Sequence, residues 1–220
     1  MATEMVTDSA RAEILRRIRA AKGGVSSAET ARARWDGIDR SYKRKGTRRV
    51  EEVVKLLEDR LRDYDAHVMR VDEAEVSAAV AKMMGERGVR RVVVPRGLEA
   101  TWLPVGFEFV VDDGLTPAEL DGVDGVMTGA TLAIAETGTV VLQNRAGQGR
   151  RVVTLVPDYH LCVVRVKDVV ETVPEAFGRL EATAELATTF VSGPSATADI
   201  EMTRIKGVHG PRFLDVILAG

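Results

Sequence analysis

Cysteine is nearly absent from this 220-residue chain, Cys162 being the only one. A lone cysteine excludes a disulfide framework, and it excludes any cluster held by four thiolates of this chain. Its neighbours, His160-Leu161-Cys162-Val163-Val164, read as a strand, so the thiol is expected to be buried and inert. The three histidines, His67, His160 and His209, share no metal-ligand spacing, and neither H-E-x-x-H nor C-x-x-C occurs. A G-x-x-x-x-G-K-[ST] phosphate loop is missing too. Gly147-Gln148-Gly149 lacks the third glycine and the helix of a dinucleotide fingerprint, and with Arg150 and Arg151 it reads as a basic loop between strands. No cofactor and no metal are expected on this chain.

Aromatic residues make up only 5% of the sequence against 45% apolar residues in all, so a core has to rest on Val, Leu, Ile and Ala. No stretch approaches the roughly 18 uncharged apolar residues of a membrane span. Residues 1–25 are patterned as an amphipathic helix instead of a signal peptide, and a cytoplasmic location follows as the expectation. The formal net charge of −2 gives no footprint for nucleic acid. Charge is unevenly spread, however. Residues 1–65 carry 16 Lys/Arg against 12 Asp/Glu, and the remainder carries 15 against 21. A basic amino-terminal part on an acidic body marks either a partner surface or a pair of solvated helices.

Periodicity divides the chain near residue 64. Before it, residues 9–22 read as a helix with Ile14, Leu15 and Ile18 on one side and Gly23-Gly24 as its stop. Residues 26–49 are polar and poorly periodic and end in a basic cluster of Arg40, Lys43, Arg44, Lys45, Arg48 and Arg49. Six charges in ten residues cannot be buried unpaired, so this segment is expected to be mobile. From Val50, apolar residues at helical spacing (Val50, Val53, Val54, Leu57, Leu61) predict a helix. Residues 1–64 thus read as a helical appendage with a linker, and 65–220 as an α/β domain.

In that domain, strands are expected at 67–71, 91–95, 107–111, two within 125–143, and at 152–156, 161–166, 189–192 and 213–218. Helices are expected at 73–85, 116–120 and 168–181. Short, fully apolar runs such as Val92-Val93-Val94 are of the kind buried on both faces. Strand–helix alternation implies a mostly parallel sheet covered by helices.

Two strings stand apart from this core pattern. In the first, Gly129-Ala130-Thr131-Leu132-Ala133-Ile134-Ala135-Glu136-Thr137-Gly138-Thr139, an apolar strand runs into a turn bearing a carboxylate. Glu136 against a low-dielectric wall suits an acid/base, with Thr137, Gly138 and Thr139 beside a ligand. A hairpin turn satisfied by Thr and Glu accounts for the same residues. In the second, Phe190-Val191-Ser192-Gly193-Pro194-Ser195-Ala196-Thr197-Ala198-Asp199-Ile200-Glu201, a strand ends at Ser192 and Ser195 can cap a helix reaching Lys206-Gly207. Such a helix end, with the hydroxyls of Ser192, Ser195 and Thr197, suits a carboxylate or phosphate. A well-capped structural helix with Asp199 and Glu201 at its positive end is the alternative. Gly207-Val208-His209-Gly210-Pro211 then holds a histidine on a loop, the setting of a ligand-contacting or proton-handling group.

Ala133-Ile134-Ala135-Glu136-Thr137-Gly138-Thr139, a Pro157…His160 step, the string from Ser192 to Glu201 and Gly207-Val208-His209-Gly210-Pro211, in that order, resemble the signature of the LUD-domain family of lactate-utilisation proteins. The resemblance spans residues 64–220. It implies a fold of the ribose-phosphate isomerase/CoA-transferase type. It also implies a non-redox accessory or substrate-handling subunit of an iron–sulfur-dependent L-lactate oxidation system. The clusters would then sit on iron–sulfur and cysteine-rich partner proteins, which suits a chain with one cysteine. The alternative is a stand-alone isomerase, transferase or ligase acting on a phosphorylated or CoA-linked metabolite, with Glu136 as acid/base or nucleophile. On either reading Glu136 and His209 are the catalytic candidates. Thr137, Gly138, Thr139, Ser192, Gly193, Pro194, Ser195, Thr197, Asp199 and Glu201 are the ligand-binding candidates; Glu136, the Ser192–Thr197 loop and His209 are expected to converge at the carboxyl edge of the sheet.

Overall fold

The computed structural model describes residues 2–23, 27–197, 205–207 and 209–220, and the chain divides into two units, Met1–Tyr42 and Lys43–Gly220. The first unit holds α1 (Ala2–Ala21) and α2 (Ala28–Asp36). In α1 the apolar side expected from spacing forms, but Ile14, Leu15 and Ile18 stay 57, 38 and 45% exposed. Local chemistry makes α2 a helix where periodicity is poor: Ser27 Oγ accepts the Thr30 N–H, and no residue of the helix is buried.

The second unit starts with α3 (Val50–Asp63), whose Val53, Val54, Leu57 and Leu61 form the expected buried stripe. These residues pack into the main core, so α3 belongs with the body and not with the two helices before it. Then follow β1 (His67–Val71), α4 (Val76–Arg87), β2 (Arg91–Pro95), β3 (Glu108–Asp112), α5 (Pro117–Asp121), β4 (Gly125–Gly129), β5 (Leu132–Ile134), β6 (Thr139–Gln143), β7 (Tyr159–Arg165), β8 (Val169–Val170), α6 (Val173–Leu180), β9 (Thr188–Val191), β10 (Ala196–Thr197), β11 (Ile205–Lys206) and β12 (Phe213–Ala219).

Six strands form one all-parallel sheet in the order β1-β12-β7-β4-β2-β3. The α/β architecture expected from alternation is therefore present, with a second, mixed sheet in the order β8-β5-β6-β9. Alternate residues of the parallel strands feed two cores. Leu161, Val163, Ile217, Val92 and Met127 pack against Val76, Val80, Met83 and Met84 of α4. Cys162, Val164, Val216 and Leu218 pack on the other face against α3 and against Ala133, Val140 and Leu142 of the small sheet. Cys162 is fully buried, and burial pushes its thiol up to about 12, which keeps it protonated and inert.

Four segments differ from the spacing-based expectation. Residues 125–143 hold three strands, β4, β5 and β6, and not two. Residues 152–156 are no strand; Arg151–Thr154 is a single 3-10 turn, since a short apolar run fixes burial without fixing conformation. The helix expected over 168–181 begins only at Val173, because Thr172 and Glu175 form a capping box and Pro174 occupies the first turn. The helix expected from Ser195 to Lys206 is replaced at both ends by strands, β10 and β11, which pair antiparallel with Ala196 opposite Lys206. Cross-strand pairing there overrides the capping signal that Ser195 carries in isolation.

Leu57 is fully buried between α3 and the sheet. Leu57→Ala is expected to cost about 2–5 kcal/mol of unfolding free energy. Denaturant titration checks this, and a loss as small as that of an exposed-site change would mean that α3 does not close the core.

Candidate functional site

Strand β9 ends at Val191, and residues 192–195 turn back with Gly193 at φ 86. A Cβ at Gly193 would sit 2.5 Å from Tyr64 Cβ, so the turn needs glycine for conformation and for space. The Ser195 N–H donates to Pro211 O and the Gly207 N–H to Ser195 O, while the His209 N–H donates to Ser195 Oγ at 2.9 Å. These bonds lace the serine loop to the histidine loop. Together with Arg151, Thr154 and His160 the two loops enclose a cavity of about 150 Å³. The structure thus brings Ser192, Gly193, Pro194, Ser195 and His209 together.

The cavity lies at the amino ends of β7 and β12, against His160 and Leu214, and not at the carboxyl edge where these residues were expected. The physical reason is the direction of β9. It runs antiparallel to β6 in the small sheet, and no described helix carries the chain across from Ser195. Glu136 is not among the residues that line this cavity. It sits in the turn between β5 and β6, where its N–H donates to Glu171 O and its carboxylate is 3.7 Å from Arg48 Nη1. A chain of hydroxyls still reaches from that turn to the serine loop: Thr137 Oγ1 to Thr139 Oγ1 at 2.7 Å, and Thr139 Oγ1 to Ser192 Oγ at 2.7 Å. Gly138, at φ 58, lets the turn lie against Arg60, where a Cβ would fall within 2.8 Å. Thr197 is extended in β10, and Asp199 and Glu201 lie outside the described residues.

Arg151, Thr154 and His160 are the members that spacing did not single out for the site. Arg150, next in sequence to Arg151, is committed: it holds Asp112 through Nε and Nη2 and also donates to Leu115 O. Arg151 donates only to Thr154 O and Oγ1, with no carboxylate partner among the described residues. Its side chain reaches the surface, yet desolvation by the surrounding protein pulls its pKa below the ordinary arginine value. A guanidinium with no carboxylate partner among the described residues, beside hydroxyls and a histidine, suits an anion such as a carboxylate or a phosphate. His160 is 2% exposed, and its Nε2 shares a hydrogen bond with Thr128 Oγ1 at 2.8 Å. Burial, with Arg151 nearby, pushes its pKa down to about 4.

The LUD domain model matches residues 116–219, the span that supplies every residue lining this cavity. Beyond that span, a Deinococcus radiodurans protein named lactate utilization protein C is 47% identical over 172 residues, covering 77% of this chain and 80% of that protein. The chain belongs to the LUD domain family. A Bacillus pumilus lactate utilization protein C is 30% identical over 213 residues, covering 86% of this chain and 87% of its own. The crystal structure of a DUF162 family protein from Deinococcus radiodurans superimposes with a TM-score of 0.70 at 42% identity, covering 79% of this chain and all of that one.

In this LUD domain the buried His160 couples folding to pH. Its folded pKa lies below the unfolded value of about 6.5, so between the two the unfolded chain binds a proton that the folded chain does not. Stability is therefore full above pH 6.5 and is lost as pH falls toward 4. Between about pH 6 and 5, where the unfolded imidazole is mostly protonated and carboxylates are still mostly ionised, the loss should approach about 1.4 kcal/mol per pH unit. Unfolding titrations at several pH values measure the slope, and His160→Gln should flatten it; an equal slope in the variant would assign the effect elsewhere.

Proposed function

We propose that this chain is an accessory, substrate-handling subunit of an iron–sulfur-dependent L-lactate oxidation system and carries out no electron transfer itself. The carrying observation is the 47% identity, over 80% of its length, to the protein named lactate utilization protein C. The single, buried Cys162 supports the division of labour, because a cluster needs several thiolates and this chain has one. The clusters then belong to iron–sulfur and cysteine-rich partner proteins, in a cytoplasmic assembly.

The substrate-handling part of this reading rests on the cavity at the amino ends of β7 and β12. Its 150 Å³ amounts to about five water volumes of ~30 Å³ each, the scale of a three-carbon acid. Arg151 would take the carboxylate. Ser195 Oγ, already accepting the His209 N–H, retains its own proton to donate to a ligand oxygen. His209 would handle a proton at the substrate hydroxyl. Ser192, Gly193, Pro194 and Thr197 shape the loop. Glu136 would act from outside the cavity, through the turn that Thr139 ties to Ser192.

The test is growth on L-lactate of a strain lacking this gene, complemented in trans. Wild type is expected to restore growth and Arg151→Met to fail while accumulating as folded protein, with growth on pyruvate normal for both. Glu136→Gln is expected to impair growth less than Arg151→Met, because that carboxylate is outside the cavity. Normal growth on lactate without the gene would sink the lactate reading. Full complementation by Arg151→Met would leave the lactate role standing and remove this cavity from it.

A further inference from the structure

At the other end of β7 lies a larger crevice, of about 370 Å³, at the carboxyl ends of β2, β4 and β7. Ligands of α/β sheets bind outside the carboxyl ends of parallel strands, and this volume falls in the range of small-molecule sites. It is lined by Gly147 and Gln148, which the cavity described above does not use. Gly147, at φ 77, donates its N–H to Arg96 O at 2.8 Å and accepts the Gly129 N–H at 2.8 Å, which staples three loops together. A Cβ at Gly147 would press to 3.3 Å on Gly97 O.

Gln148 is 6% exposed. Its Oε1 accepts the Gln143 N–H at 2.6 Å and the Thr131 hydroxyl at 2.8 Å. A backbone N–H can only donate, so the amide orientation is fixed. That leaves Nε2 with no acceptor among the described residues. Among the described residues no fully occluded side-chain nitrogen or oxygen lacks a partner, so this amide is open to the crevice that Gln148 lines. Arg145 lines the same space and makes no side-chain hydrogen bond or ion pair among the described residues. The other arginine there, Arg165, is committed to Glu73 and Glu99 and lies over the Trp102 ring at 5.1 Å. Asp168 lines the crevice too, and its carboxylate makes no hydrogen bond or ion pair among the described residues.

We infer that this crevice binds an organic monocarboxylate bearing hydroxyl groups, with the acid on Arg145, an adjacent oxygen on the Gln148 amide and a hydroxyl donating to Asp168. One uncommitted cation matches one carboxylate. Asp168 and Glu99 repel a phosphate or any polyanion and accept from hydroxyls instead. The volume is about a dozen water volumes of ~30 Å³, which favours a longer hydroxy acid over a three-carbon one.

The full-length protein is titrated by calorimetry with lactate, gluconate and inorganic phosphate. Gluconate is expected to bind saturably with a Kd of about 1 mM or tighter, and more tightly than lactate or phosphate. Arg145→Met, at an exposed residue without a partner, should leave the fold unchanged and weaken gluconate about ten-fold or more. Asp168→Asn should weaken gluconate more than lactate, and Arg151→Met should leave gluconate binding unchanged while weakening lactate at the smaller cavity. The inference is overturned by absent gluconate binding, by phosphate binding as tightly, or by affinity that survives Arg145→Met. Loss of gluconate binding in Arg151→Met with retention in Arg145→Met would place the ligand at the smaller cavity and overturn it as well.

Discussion

Glu171 accepts four hydrogen bonds although its side chain is only 3% exposed: from Lys43 Nζ, from the backbone N–H groups of Thr47 and Arg48, and from Arg48 Nη1. A carboxylate taken out of water persists only when its lone pairs are filled, and here one segment fills them all. The Arg48 N–H foremost, followed by Lys43 and Thr47 against the opposing cost of burial, holds its carboxyl below the usual range. That clamp fixes where residues 43–48 enter α3, and α3 closes one face of the large sheet. Glu171 O meanwhile accepts the Glu136 N–H and anchors the β5–β6 turn. The fit is close enough that a Cβ at Gly46 would fall 2.2 Å from Glu171 Oε2. The basic segment expected to be mobile and solvated is, from Lys43 to Arg48, the lid over a buried acid.

Strand β7 presents chemistry at both of its ends. Its first residues place His160 against the small cavity, its last place Arg165 beside the carboxyl-edge crevice, and the stretch between is buried on both faces. A strand packed on both sides has no freedom to shift register, since a slip of one residue would exchange the two cores. The two cavities are therefore held at a fixed separation by a strand buried along almost all of its length. Their sizes differ, about 150 and 370 Å³.

Arg150 and Arg151 show why neighbours in sequence can hold opposite roles. Arg150 is absorbed by Asp112, 38 residues away, and braces the strand-end loop. Arg151, among the described residues, finds only Thr154. Both read alike in a basic loop, and only the position of Asp112 separates them.

Local sequence determined the elements whose signals are short-ranged: the capping box of Thr116 and Glu119, the stripe of α3, the apolar runs of β2 and β7. Alternation of those elements determined the parallel sheet, and the strings around Glu136, Ser192 and His209 determined the family. Only the tertiary structure decided which of these residues meet. Ser192 and His209 share a cavity because β9 pairs antiparallel in the small sheet and the segments after it are laced through Ser195. Glu136 stays outside because Glu171 and Arg48 hold its turn elsewhere. Such pairings join residues far apart in the chain, and their energy comes from burial and charge at the meeting point. No spacing within either partner's own segment encodes it.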